Sequence, residues 1–239
     1  MKLVRLLLIS WAFFTFADSG DLIRSYSFGD SQGVPFDKKL AKLLNFEHGT
    51  FIEVGAHDGI DQSNTKLFEE SYGWTGILVE PSPILFSRLC ENRPNSQCFQ
   101  CALGSFEEDG TYAFGDFDGS KMSSLDGKRL NRVADLKVLV RSLQSILDDL
   151  KIDYINLFSL DTEGHELNIL KGIDFSRVKF DYILIEIYAN QYDEIVSFLS
   201  VKGYEMIECF SNYSLSTNPG WDGSHNDYLF KRKNYESIN

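Results

Sequence analysis

At 239 residues, 43% hydrophobic and 24% charged, the chain can bury a full core, and one α/β domain is the natural expectation. Its formal net charge of -12 argues against bulk electrostatic affinity for nucleic acid, so no nucleic-acid partner is expected. No repeat, long linker or low-complexity tract breaks the sequence.

Residues 1–5 carry Lys2 and Arg5, residues 6–17 are almost uninterruptedly apolar, and Ala17 and Ser19 supply small residues before Gly20. Residues 1–19 therefore read as a secretory signal peptide, with an uncleaved anchor and a packed N-terminal helix as the alternatives. The run is short of the roughly 20 residues a membrane span needs. A secretory-pathway or extracellular protein follows, with no stable span after cleavage. Residues 20–45 form an N-terminal extension with one short helix near 36–44, and the main domain covers 46–232, leaving a tail at 233–239.

The first buried strand falls at 50–54, where Phe51, Ile52 and Val54 are interrupted by Glu53. A helix over 63–72 follows, with Asp61 or Ser63 near its N-terminus to cap exposed amides. Residues 76–79 make the second strand, 83–92 the second helix and 97–103 a third strand. This alternation predicts a doubly wound parallel sheet. Cys98 and Cys101 have redox-motif spacing but are too few for a structural zinc site. With Cys90 and Cys209 they permit two disulfides in three pairings, and core or disulfide cysteines are favoured over a redox centre.

Residues 104–119 hold five acids and no base, which suggests a hairpin or an excursion over the sheet edge. Residues 120–135 read as a mobile segment near the substrate. The bases Lys121, Lys128, Arg129, Arg132, Lys137 and Arg141 lie close together in sequence, and an ordinary solvated face is favoured over contact with an anionic substrate. Helical periodicity returns at 142–150, with Leu143, Ile146, Leu147 and Leu150 on one face. A central strand at 154–160 ends beside Asp161, and another at 183–187 ends near Glu186. A helix at 192–199 and strands at 204–209 and 227–232 complete the domain. The last two strands, joined by a polar rim loop at 211–226, suggest an antiparallel hairpin at the sheet edge. Asn212-Tyr213-Ser214 in that loop is a glycosylation sequon, meaningful only if the leader functions.

Ligands of open α/β sheets bind beyond the carboxyl ends of the strands. Gly55 and Gly59, in TFIEVGAHDG at 50–59, let the backbone turn and approach a ligand. Glu53 is placed to meet an ammonium group, and Glu80, ending GILVE, to accept hydrogen bonds from both ribose hydroxyls. A dinucleotide fingerprint has a central glycine that makes room for pyrophosphate. Here His57 and Asp58 occupy that stretch and would crowd and repel it, which favours S-adenosylmethionine, a cofactor with no phosphate. Cys101 and Ala102 are candidates to line its adenine pocket.

Residues 159–166, SLDTEGHE, carry a second constellation at a strand end. Acids spaced by two and then three residues can turn Asp161 and Glu163 into one cleft, while Glu166 in the first turn of the next helix is placed to interact with the helix terminus. Asp161 or His165 could remove a proton from a nucleophile. Acid spacing alone does not establish six oxygen ligands, so no metal is assigned.

Together FIEVGAHDG, SNT at 63–65, GWTGILVEPSP at 73–83, LDTEGHELNILKG at 160–172, YILIEI at 182–187 and NDYLFKR at 226–232 resemble the FkbM-type family of S-adenosylmethionine-dependent methyltransferases. The resemblance implies a class I methyltransferase-like, Rossmann-like fold: a mostly parallel seven-stranded sheet with helices on both faces and a C-terminal antiparallel hairpin. It implies O-methylation of a hydroxyl or carboxylate by in-line displacement. Glu53, Gly55 and Gly59 then match methionine-side contacts, Glu80 the ribose ligand, and Asp161, Glu163 and Glu166 the acidic motif. Ser159 stands where relatives often carry Lys. The acceptor stays open among a small molecule, a glycan and a protein, as does the oligomeric state. The alternative is a non-catalytic secreted interaction module on the same scaffold.

Overall fold

The computed structural model describes residues 24–233. The expected leader and all but the first residue of the expected tail lie outside the described residues.

Strands β1 (Thr50–Val54), β2 (Thr75–Val79), β3 (Gln97–Phe99), β7 (Tyr154–Leu160), β8 (Lys179–Tyr188), β9 (Tyr204–Cys209) and β10 (His225–Arg232) form one sheet in the order β3-β2-β1-β7-β8-β10-β9. The first five strands of that order run parallel. β10 is antiparallel to both β8 and β9, so the C-terminal hairpin closes the edge with its second strand innermost.

Both faces of the sheet are buried, as parallel strands require. Along β8, Phe180, Ile183, Ile185 and Ile187 enter one core, and Tyr182 and Leu184 enter the other. The first core packs under α4 (Leu143–Leu150), α5 (Glu166–Lys171) and α6 (Tyr192–Val201). The second packs under α1 (Phe36–Leu43), α2 (Lys66–Tyr72) and α3 (Pro83–Asn92), with Trp74 filling the gap. β1 lies between β2, which follows it, and β7, which comes much later, so the order switches there. The crevice at such a switch is where an α/β sheet accepts its ligand.

Three expectations change. The strand expected at 97–103 is two strands: the chain bends after Phe99 and continues as β4 (Ala102–Gly104) in a second sheet. That sheet has the order β4-β6-β5, built with β5 (Tyr112–Gly115) and a strand the sequence did not announce, β6 (Leu136–Ser142). Helix α2 begins three residues later than expected, because residues 63–65 form a turn held by Glu53. All four cysteines are free thiols, so neither disulfides nor a redox pair is formed. Among the described residues no helix is long and apolar enough to cross a membrane.

Candidate active site

Beyond Val54 the chain turns through Gly55, whose φ is +80°, and a Cβ there would stand 1.9 Å from the carbonyl oxygen of Asp161. Only glycine lets the ends of β1 and β7 approach so closely. Gly59, also at positive φ, has another reason to lack a side chain. A Cβ would strike Arg93 and Leu89 of the α3 region at 2.6 Å, and Gly59 does not line the cavity.

A cavity opens above these strand ends. Glu53, Gly55, His57, Glu80, Cys101 and Ala102 line it, and so do Asp161, Glu163 and His165 from the second motif. The structure therefore gathers nine of the ten candidate residues around one space.

Glu80 is 5% exposed. Its Oε2 accepts the His57 backbone N–H at 3.0 Å and its Oε1 accepts that of Ser82 at 2.8 Å. Burial raises its pKa to about 7 against the pull of those two donors. Each oxygen retains a further lone pair, the acceptor set that a ribose diol needs. His57 adopts a left-handed backbone, and both of its ring nitrogens are buried without a hydrogen-bond partner at the cavity wall. Glu53 is more committed than the sequence suggests. Its carboxylate accepts from the Asn64 backbone N–H at 2.6 Å, from Ser63 Oγ at 2.8 Å and from Thr65 Oγ1 at 2.6 Å. A carboxylate has about four acceptor sites, so one remains for a ligand.

Cys101, Ala102, Leu85, Leu103 and Phe117 add apolar surface to the cavity wall. Burial pushes the Cys101 thiol up to about 12, so it packs there as an uncharged side chain. Phe117 belongs to the excursion, and Ser120, Lys121, Ser123 and Leu125 after it also close the cavity. Sequence reasoning missed these wall residues individually, although the 120–135 segment was expected near the substrate. The basic cluster is dispersed: Lys121 pairs with Asp61, Lys128 with Asp126, Arg132 with Asp118 and Arg141 with Asp149. Arg129 turns inward, its Nε donating to Glu163 at 2.9 Å and its Nη2 to Asp222 at 2.7 Å.

Asp161 faces the cleft and is exposed on that side. Protein packed behind it, then the charges of Glu163, Asp227 and Glu166, hold its carboxyl well above the ordinary range. Glu186 is raised likewise, first by burial and then by Asp161 and Glu163. Asp161, Glu163 and Glu186 each place an oxygen within 4.8 Å of the others. At that distance two unit charges repel by roughly 3–4 kcal/mol at an effective dielectric constant near 20. Glu166 is turned away. Its Oε1 accepts the backbone N–H groups of Thr162 and Gly164 and the Thr162 hydroxyl, which fixes the turn entering α5. His165 lies 3.6 Å from Glu108, and burial lowers its pKa despite that neighbour. A second, wider cavity meets the first at Asp161 and Glu163, and Glu186, Trp221, His225 and Asp227 contribute to its lining.

The family model described as the methyltransferase FkbM domain matches residues 53–206. Hexuronic acid methyltransferase AglP of Haloferax volcanii is 24% identical over 139 residues, which cover 57% of this chain and 53% of AglP. The chain thus spans about half the length of that curated relative. A methyltransferase FkbM structure from Methylobacillus flagellatus KT is 18% identical, with a TM-score of 0.49, covering 82% of this chain and 48% of that one. Fibrillarin of Aeropyrum pernix, in complex with natively bound S-adenosyl-L-methionine, is 13% identical with a TM-score of 0.48, covering 80% and 74%. The acceptor set of Glu80 and the apolar residues of the cavity wall fit S-adenosylmethionine, which is the cofactor. The chain belongs to the FkbM methyltransferase domain family.

Proposed function

We propose that this methyltransferase transfers a methyl group to a hydroxyl oxygen, with the acceptor seated in the wider cavity beside Asp161. One observation carries the reading: the cofactor cavity and the wider cavity share Asp161 and Glu163 as a common wall. The bound cofactor supplies an electrophilic methyl group on a sulfonium centre.

Glu80 would hold the ribose, Cys101 and Ala102 would flank the adenine, and the remaining acceptor site of Glu53 would face the ammonium group. These contacts would fix the bound cofactor beside Asp161 and Glu163, and positioning of this kind can be worth effective molarities of about 10⁵–10⁸ M. Methyl transfer would break the carbon–sulfur bond of the sulfonium, leaving a neutral thioether, and the proton of the acceptor hydroxyl would pass to Asp161 or His165. Burial lowers the His165 pKa and leaves a neutral imidazole able to accept a proton, and the raised pKa of Asp161 makes its ionised carboxylate the stronger base.

The acid-lined wall supports a hydroxyl over a carboxylate acceptor, because a further anion would join a group of carboxylates that already repel one another. AglP's hexuronic acid substrate makes sugars with free hydroxyl groups the first class to test.

The experiment uses the full chain with methyl-labelled S-adenosylmethionine and a panel of neutral sugars and uronic acids. Label that survives mild alkali, as an ether does, supports the reading. Alkali-labile label marks a carboxylate acceptor and overturns it. Failure of a folded sample to bind the cofactor in calorimetry returns the non-catalytic module.

A further inference from the structure

Asp161 and Glu163 follow β7, Glu186 stands late in β8, and Asp227 lies opposite Glu186 in the β8–β10 register. Positive charge is scarce among them. Arg129 divides its guanidinium between Glu163 and Asp222, and the nearest His225 nitrogen lies 3.2 Å from Glu186 Oε1.

Glu186 Oε2 is the informative atom. It is buried without a hydrogen-bond partner, on a residue only 5% exposed. The residue lines the wider cavity together with Asp161 and Glu163 and reaches both. Glu163 Oε2 is occupied by Arg129 and by the Tyr188 hydroxyl, which leaves its other oxygen available. An unpartnered, desolvated carboxylate oxygen on a residue that reaches two more acids is expensive unless a cation draws the carboxylates together.

We propose that Asp161, Glu163 and Glu186 bind one hard divalent cation at the junction of the two cavities. An all-carboxylate donor set selects the magnesium, manganese and calcium class over zinc or copper, which favour nitrogen and sulfur ligands. Three monodentate oxygens leave coordination positions open toward the wider cavity. There an acceptor hydroxyl could bind the ion and release its proton more readily. That last role rests on the O-methyl transfer reading, whereas cation binding stands without it. The competing arrangement is a proton shared between Asp161 and Glu186.

The test titrates the chelator-treated full chain with Mn²⁺ alone, following loss of the free-ion signal by electron paramagnetic resonance. A single Mn²⁺ per chain, displaced by Mg²⁺ and weakened at least about tenfold by Glu186→Gln and by Asp161→Asn, supports the site. No uptake by folded wild-type protein up to about 1 mM Mn²⁺ overturns it in favour of the shared proton. Undiminished binding in both variants also overturns it. Calorimetry with S-adenosylmethionine on the same samples separates the two readings. Cofactor binding without Mn²⁺ uptake defeats the cation site alone, and Mn²⁺ uptake without cofactor binding supports the site while defeating the methyl-transfer reading.

Discussion

Glu80 concentrates the cofactor chemistry in one carboxylate. Buried, and with no cation assigned to it, its two oxygens each take a single backbone N–H, and its pKa rises from the ordinary 4.5 to about 7. A ribose diol donates two O–H groups, so the ionised form is the better acceptor. Cofactor affinity should therefore strengthen as pH rises through about 7. Hydrogen bonds to charged groups contribute about 1.5–3 kcal/mol, so Glu80→Gln should weaken binding by roughly 10- to 150-fold at pH 8. The same substitution should flatten the pH dependence, which calorimetry at pH 6 and pH 8 would reveal. An unchanged slope in the variant would assign the titration to another group. Folding stability moves in the opposite direction. A carboxyl whose folded pKa is raised contributes its full stability below the unfolded value and loses it as pH rises through the folded one. The sequence puts Glu80 after β2, where it lines the cavity, but its buried, raised carboxyl was not visible there. That property arises from what packs around it.

The clearest effect at the scale of elements is the Ser63-Asn64-Thr65 turn and the arginine beneath it. Arg93 is fully buried. It donates to Glu69 at 2.8 Å, to the Gly59 carbonyl at 3.1 Å, to Ser63 Oγ at 3.2 Å and to Thr65 Oγ1 at 3.1 Å. The guanidinium thereby joins α3 to α2 and to the turn that Glu53 holds. Removing one partner from a buried charge network costs about 3–5 kcal/mol, because the remaining acids stay buried without compensation. Arg93→Met should lower unfolding free energy by about that amount in urea titrations. A loss below about 1 kcal/mol would show that water reaches Glu69 and Glu53 freely. In the sequence Arg93 is an unremarkable base after a helix, and its role needs three segments to meet. The strands at 50–54, 154–160 and 204–209 were legible because short apolar runs ended at glycine, acid or polar segments. β6 was not, since alternation in LKVLVRS lay between a polar stretch and a helix, and its partners β4 and β5 are very short.

Across the whole molecule, ligand binding should couple to global stability, because the cavity is lined by the ends of β1, β2 and β7 together with the excursion. Cofactor at one hundred times its dissociation constant adds about 2.7 kcal/mol to folding. In a domain of this size that corresponds to a melting-temperature rise of roughly 5–11 °C. S-adenosylhomocysteine should shift melting in the same direction, and Glu80→Gln should reduce both shifts at equal ligand concentration. A shift below about 1 °C at saturating ligand would place binding outside the folded core of the site.

The sequence by itself determined the mostly parallel sheet and the two motifs, because strand-ending glycines and acids are local signals tied to a repeating βα rhythm. It also turned Asp161 and Glu163 toward one cleft, and the strand order then brings Glu80 and His165 to the same cavity. Only the tertiary structure decided how each acid is used. Glu53 is largely consumed by a turn, Glu166 by the entry to α5, and Gly59 by close packing against Leu89 and Arg93. Glu186 joins Asp161 and Glu163 across two strands. Hydrogen-bond partners, burial and charge spacing depend on segments distant in sequence, and no spacing along one motif encodes them.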